Sequence, residues 1–216
     1  MFSLKIKVCG ITQIEQVHQL TTLGVDYAGF IFYEKSPRFV VGKIDPEDLK
    51  SVGNRIEKVG VFVNEDYDTV INTVEKYGLN YVQLHGDETP DFCKRVSSNV
   101  KTIKAFRLAG EEDLPNMVKG YVEFVDYFLF DTKAKEYGGT GKKFEWDILQ
   151  TSAIGKPFFL SGGIGPDDTV AIKSFIDKNV NDNLYALDLN SKFELTPGIK
   201  NIESLKTFID TLRTER

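Results

Sequence analysis

The feature that most constrains this chain is a regular alternation of two kinds of segment. Short β-branched or aromatic runs occur at Lys5–Ile11, Tyr27–Phe32, Lys58–Val63, Tyr81–His85, Thr102–Arg107, Tyr127–Asp131, Pro157–Leu160 and Leu184–Leu189. They start on average roughly 25 residues apart, the length of a strand–helix unit with short loops. Stretches of helical period lie between them. Val70, Ile71, Val74 and Tyr77 share one helix face, as do Leu205, Phe208, Ile209 and Leu212. Helix starts are also written in the sequence. Thr12-Gln13-Ile14-Glu15 has the form of a capping box, and Asp45-Pro46-Glu47-Asp48 offers a cap, a proline and two acids. Alternating β and α segments require a parallel sheet with right-handed crossovers. Eight units close most naturally into a (β/α)8 barrel, the TIM-barrel architecture, with an open doubly wound sheet as the competitor. No linker or charge run breaks the rhythm, so residues 1–216 are expected to form one domain.

Composition excludes several roles. The chain has 27 basic and 32 acidic side chains, a net charge of −5. That balance argues against a nucleic-acid partner, which needs clustered Lys and Arg. No apolar stretch approaches the roughly 20 residues of a membrane span, and Lys5 and Lys7 stand where a signal peptide would be apolar. Cys9 and Cys93 make no disulfide framework, which points to the cytoplasm. His18 and His85 are the only histidines, so no metal site is expected, and no early G-x-G-x-x-G supports a dinucleotide. No cofactor is expected.

In a barrel of this kind the chemistry sits where the strands end. Lys7 and Cys9 share a face at the end of the first strand, and a neighbouring ammonium would favour the thiolate. Asp131 ends the sixth strand, ahead of a long loop containing Gly138, Gly139 and Gly141. That loop is no nucleotide-phosphate loop, because Glu136 and Lys143 stand where glycine and a hydroxyl are required. After the seventh strand, Ser161-Gly162-Gly163 precedes a helix start, a place suited to an anion. Asp188, Asn190 and Ser191 end the eighth strand and complete the same pocket. Arg38, in the loop after the second strand, suits a carboxylate. Gln83 and His85 share a face of the fourth strand, His85 reading as a packed or hydrogen-bonded residue and His18 as a surface one. These residues describe a cofactor-free barrel enzyme for a phosphorylated small molecule.

Six segments in order carry a family likeness: Lys7-Val8-Cys9-Gly10-Ile11-Thr12, Lys35-Ser36-Pro37-Arg38, Gly60-Val61-Phe62-Val63-Asn64, Val82-Gln83-Leu84-His85-Gly86, Phe130-Asp131-Thr132 with Gly138-Gly139-Thr140-Gly141, and Leu160-Ser161-Gly162-Gly163-Ile164. Together they resemble the phosphoribosylanthranilate isomerases of tryptophan biosynthesis. The resemblance implies a (β/α)8 barrel and an Amadori rearrangement of a phosphoribosyl substrate. It makes Asp131 the general acid and Cys9 the general base, with Arg38 on the anthranilate carboxylate. It assigns the phosphate to the backbone of Ser161, Gly162 and Gly163, with Gly139 and Gly141 of the sixth loop and Asn190 and Ser191 of the eighth. Gln83 and Asp188 join them in binding substrate. An acid with a raised pKa and a thiol with a lowered one predict a pH–rate profile that bends between about pH 5 and 9. Family members differ in assembly, so monomer and homodimer both remain open.

One segment departs from the family pattern. Lys192 and Phe193 stand where Gly and Val are usual, and Asn201 where Asp is. A lysine replacing a positive-φ glycine would strain the turn by about 1 kcal/mol, while adding charge near the phosphate. The competing readings are a sister enzyme on the same scaffold, such as another aminoaldose isomerase or indole-glycerol-phosphate synthase, and a phosphosugar-binding barrel without turnover. The Cys9 and Asp131 pair speaks against each.

Overall fold

A computed structural model of the chain describes residues 4–108, 113–132, 154–178 and 183–214, together with Trp146 and Leu149. Its strands are β1 (Lys5–Cys9), β2 (Tyr27–Ile31), β3 (Glu57–Phe62), β4 (Tyr81–Leu84), β5 (Lys101–Leu108), β6 (Tyr127–Thr132), β7 (Phe158–Ser161) and β8 (Leu184–Leu189). They pair in chain order as a closed barrel, and β8 returns beside β1 in parallel register from Lys5↔Ala186 to Val8↔Leu189. The expected strands agree with these to within a residue or two. The largest difference is β1, which stops at Cys9 because Gly10 takes a φ of +80° and turns the chain out of the sheet.

Helices α1 (Ile14–Thr22), α2 (Pro46–Ser51), α3 (Tyr67–Tyr77), α4 (Pro90–Ser97), α5 (Leu114–Val118), α6 (Thr169–Lys178) and α7 (Ile202–Thr214) follow strands around the barrel. The expected faces are the buried ones: Val70 and Tyr77 in α3, and Leu205, Phe208, Ile209 and Leu212 in α7. Asp45 caps α2 by accepting from the Glu47 N–H. The capping box at Thr12 does not form. Gln13 is the N-cap of α1 without a side-chain bond, and the Thr12 hydroxyl instead donates to the Gly198 carbonyl at 2.8 Å. That carbonyl belongs to a hairpin absent from the sequence reading, β9 (Glu194–Thr196) and β10 (Ile199–Lys200). Among the described residues no helix is long and apolar enough to cross a membrane.

Both faces of each strand are covered, which is why the strands read as apolar runs rather than strict alternations. Ile6, Val8, Phe30, Val82, Phe128 and Leu187 face the helices in one large cluster. Val59, Ile103, Leu129, Phe159 and Ala186 fill the barrel in a second cluster with four tyrosines. Tyr27, Tyr81, Tyr127 and Tyr185 come from β2, β4, β6 and β8, the alternate strands that build one layer of such an interior. Their rings close a circuit, with centroid separations of 5.4, 6.3, 4.6 and 6.3 Å from Tyr27 round to Tyr185 and back. Phe159 stacks edgewise on Tyr27 and Tyr127. This layer closes the end where the strands begin, and the polar residues of β1, β4, β6 and β8 fall at the other end. Truncating Phe159 to alanine should therefore lower unfolding free energy by about 3–5 kcal/mol in urea titrations, since no side chain can collapse into the gap.

Candidate functional site

The strands end around a cavity of about 210 Å³. Cys9, Gln83, Asp131, Ser161, Gly162, Gly163, Asp188, Asn190 and Ser191 all line it, so nine of the expected residues come together. Arg38 stands beside it, its Cδ 2.6 Å from where a Cβ on Gly10 would lie. Only glycine at position 10 lets that arginine cross the end of β1. Gly139 and Gly141 lie outside the described residues. Gly162 and Gly163 have φ of +103° and +67°, conformations that turn their backbone toward the cavity at no Cβ cost. The helix start beyond them is a short 3-10 turn whose first N–H, that of Gly165, is already taken by the Asp168 carboxylate at 2.8 Å.

Lys7 lies inside the barrel with 0% exposure, its Nζ 2.8 Å from Asp188 Oδ2. Burial alone would lower its pKa, but Asp188 and Cys9 outweigh that and hold it protonated. Cys9 is 5% exposed. Burial pushes its thiol above the ordinary 9.0, and the opposing effect of Lys7 does not overcome it. The expected lowering by Lys7 is present, but burial is the larger effect and the thiol ends above its ordinary value. Two buried acceptors, Gln83 Oε1 and Asp188 Oδ1, have no hydrogen-bond partner among the described residues. Both belong to residues lining the cavity, where a ligand's hydroxyl or N–H groups would satisfy them.

His85 is hydrogen-bonded, as expected, and it also lines the cavity. Its Nδ1 is 2.8 Å from Gln83 Nε2, and its Nε2 is 3.4 Å from Asp131 Oδ2. The Asp131 side chain is 34% exposed. The signal for His85 was present in its position at the end of β4, on the same face as Gln83.

Glu194 and Lys200 are buried charged residues behind the cavity that the sequence did not single out. Glu194 accepts three hydrogen bonds from Arg38, at 2.9, 3.1 and 2.6 Å, one from Lys200 Nζ at 2.7 Å and one from the Gly198 N–H at 3.1 Å. Burial would raise its pKa, but Arg38, Lys200 and Gly198 together hold it at about 2. Lys200 also reaches Asn190 Oδ1 at 2.8 Å, and burial draws its pKa down. The Pro197-Gly198 turn signal could have shown the hairpin, but not its contacts.

The departure at Lys192 carries no strain. Among the described residues the only non-glycine with positive φ is Asn64. Lys192 sits exposed in a 3-10 turn over Ser191–Phe193, and Phe193 packs on Phe208 with ring centroids 5.0 Å apart. Asn201 accepts from the Ser204 N–H at 3.0 Å, so it caps α7 as an aspartate would.

Fold and mouth together define a (β/α)8-barrel enzyme whose site sets a buried thiol on β1 and a carboxylate on β6 into one cavity. A sequence profile of the family described as N-(5'phosphoribosyl)anthranilate (PRA) isomerase matches residues 6–211. A curated relative named N-(5'-phosphoribosyl)anthranilate isomerase, from Parabacteroides distasonis, is 40% identical over 96% of this chain and 92% of its own. The fold is similar to monomers generated from the dimeric phosphoribosylanthranilate isomerase of Thermotoga maritima, with a TM-score of 0.79, 33% identity, and 98% and 100% of the two chains covered. It is equally similar to a phosphoribosyl anthranilate isomerase in complex with reduced 1-(o-carboxyphenylamino)-1-deoxyribulose 5-phosphate, with a TM-score of 0.79, 32% identity, and 98% and 99% covered. The chain belongs to the N-(5'-phosphoribosyl)anthranilate isomerase family.

Two substitutions test this electrostatic arrangement by chemical denaturation. Lys7→Met strands the Asp188 carboxylate and should cost about 3–5 kcal/mol. Lys192→Gly should change stability by less than about 1 kcal/mol, and in the destabilising direction, since no strain is there to relieve.

Proposed function

We propose that this chain converts N-(5'-phosphoribosyl)anthranilate to 1-(2-carboxyphenylamino)-1-deoxyribulose 5-phosphate, an isomerase step of tryptophan biosynthesis, with Asp131 as general acid and Cys9 as general base. The observation that carries this reading is that both side chains line one cavity at the strand ends of a barrel in this family. We further take residues 1–216 as one domain acting in the cytoplasm, as a monomer or homodimer, without a nucleic-acid or membrane partner and without a cofactor.

In this mechanism Asp131 delivers a proton to the furanose ring oxygen as the C1'–O bond breaks. The anthranilate nitrogen lone pair then forms an iminium at C1'. The Cys9 thiolate removes the C2' proton, and that electron pair forms the C1'=C2' bond of an enolamine. Moving the enol proton to C1' gives the ketone. One proton leaves Asp131 and one arrives at Cys9, so the enzyme resets by proton transfer alone. His85, beside Asp131, and the orphan acceptors of Gln83 and Asp188 take the ribose hydroxyls. Arg38 holds the anthranilate carboxylate. The backbone of Ser161, Gly162 and Gly163 takes the phosphate together with Asn190, Ser191, Gly139 and Gly141.

Decay of anthranilate fluorescence, with substrate generated in place, tests the assignment. Cys9→Ser and Asp131→Asn should each lower kcat by at least about 10²–10⁴-fold with the fold intact. Because burial raises the thiol above 9.0, the alkaline limb of kcat/KM should lie above pH 9, beyond the range expected from sequence. A limb near pH 7–8 would show instead that Lys7 overcomes burial and lowers the thiol. Full binding of the reduced product without turnover in the wild type would instead make the chain a phosphosugar-binding barrel.

A further inference from the structure

We infer that Glu194 is a positioning residue that fixes the orientation of the Arg38 guanidinium, and thereby sets selectivity for a substrate whose aromatic amine carries a carboxylate. The inference rests on Arg38 as the carboxylate ligand. Glu194 closes a side-on fork on Arg38: Nε donates to Oε1 and Oε2 at 2.9 and 3.1 Å, and Nη2 donates to Oε2 at 2.6 Å. A guanidinium has five N–H donors in one plane. With the Nε edge engaged, one N–H of Nη1 and one of Nη2 form the adjacent end-on edge, and Nη1 makes no hydrogen bond among the described residues. That edge is the one that meets a second carboxylate bidentately. A long, flexible side chain in a loop is thus held at one angle before any ligand arrives, which lowers the entropy lost on binding.

The clamp is itself anchored. The Glu194 side chain is only 5% exposed, and Lys200, fully buried, sits 2.7 Å from its Oε1. Two cations share one anion, so the group keeps a net positive charge and does not cancel the arginine's attraction for substrate. Lys200 Nζ also holds Asn190 Oδ1 at 2.8 Å, which ties the clamp to a residue lining the cavity. The hairpin carrying both residues is fastened to α1 by Gln16, which bonds the Lys200 backbone through both its amide atoms at 2.9 and 3.0 Å. Glu194, Lys200 and Gln16 do not themselves line the cavity, so the role of Glu194 is exerted through Arg38.

Calorimetric binding of two inert ligands tests the inference: reduced 1-(2-carboxyphenylamino)-1-deoxyribulose 5-phosphate and its counterpart lacking the ring carboxylate. The ratio of their dissociation constants isolates the carboxylate contact from any general loosening of the site. In the wild type the carboxylated ligand should bind about ten-fold tighter or more, the ordinary worth of a charge-assisted pair. Arg38→Met should bring the ratio near one. Glu194→Gln should do so too, with the affinity for the ligand lacking the carboxylate changed less than about two-fold, and with KM raised more than kcat is lowered. Glu194→Asp keeps the charge but withdraws it by one methylene, so it should also lower the ratio, and it serves if the glutamine variant does not fold. A ratio lost in Arg38→Met but intact in Glu194→Gln or Glu194→Asp overturns the inference alone. A ratio intact in Arg38→Met overturns the reading of Arg38, and the inference falls with it.

Discussion

Closing eight parallel strands on themselves creates an interior that must be filled at one end and kept open at the other, and the rest of this structure follows from that requirement. The tyrosine layer of Tyr27, Tyr81, Tyr127 and Tyr185 fills the end where the strands begin. Because side chains alternate along each strand, the inward face of Tyr81 and Tyr127 reaches Gln83 and Asp131 two and four residues later. On β8 Tyr185 and Asp188 are three residues apart, next to the register shift between β7 and β8. With Cys9 and Ser161 these residues line the cavity at the open end.

An ion pair inside such a cylinder costs more to desolvate than an exposed one, and it persists only with tight geometry. Lys7 and Asp188 meet that condition at 2.8 Å across the β1–β8 seam, with Lys7 facing Asp188 in register. The Lys7 charge still draws the Cys9 thiol down, but burial is the larger effect and leaves it raised. One oxygen of Asp188 holds the lysine while the other has no hydrogen-bond partner among the described residues.

The hairpin after β8 shows the same economy. It gathers Glu194, Gly198 and Lys200 against Arg38, Thr12 and Gln16, so the end of the barrel fastens its beginning. Lys192 and Phe193 fit this hairpin without strain, one side chain in solvent and the other under α7. Phe193 packs on Phe208, and Arg38 keeps its fork on Glu194.

The sequence by itself determined the eight strands, their order, the barrel, and nine of the residues that meet in the cavity, because period, turn chemistry and strand ends are local properties of the chain. It also carried the family, through six short segments in order. Only the tertiary structure decided the partners. Lys7 and Asp188 are 181 residues apart, Arg38 and Glu194 156, and Thr12 and Gly198 186. Thr12 read locally as a helix cap, and that reading failed because its hydroxyl takes an acceptor that barrel closure brings to it from the far end of the chain. Lys7 does act to lower the Cys9 thiol, but burial inside the closed barrel outweighs it.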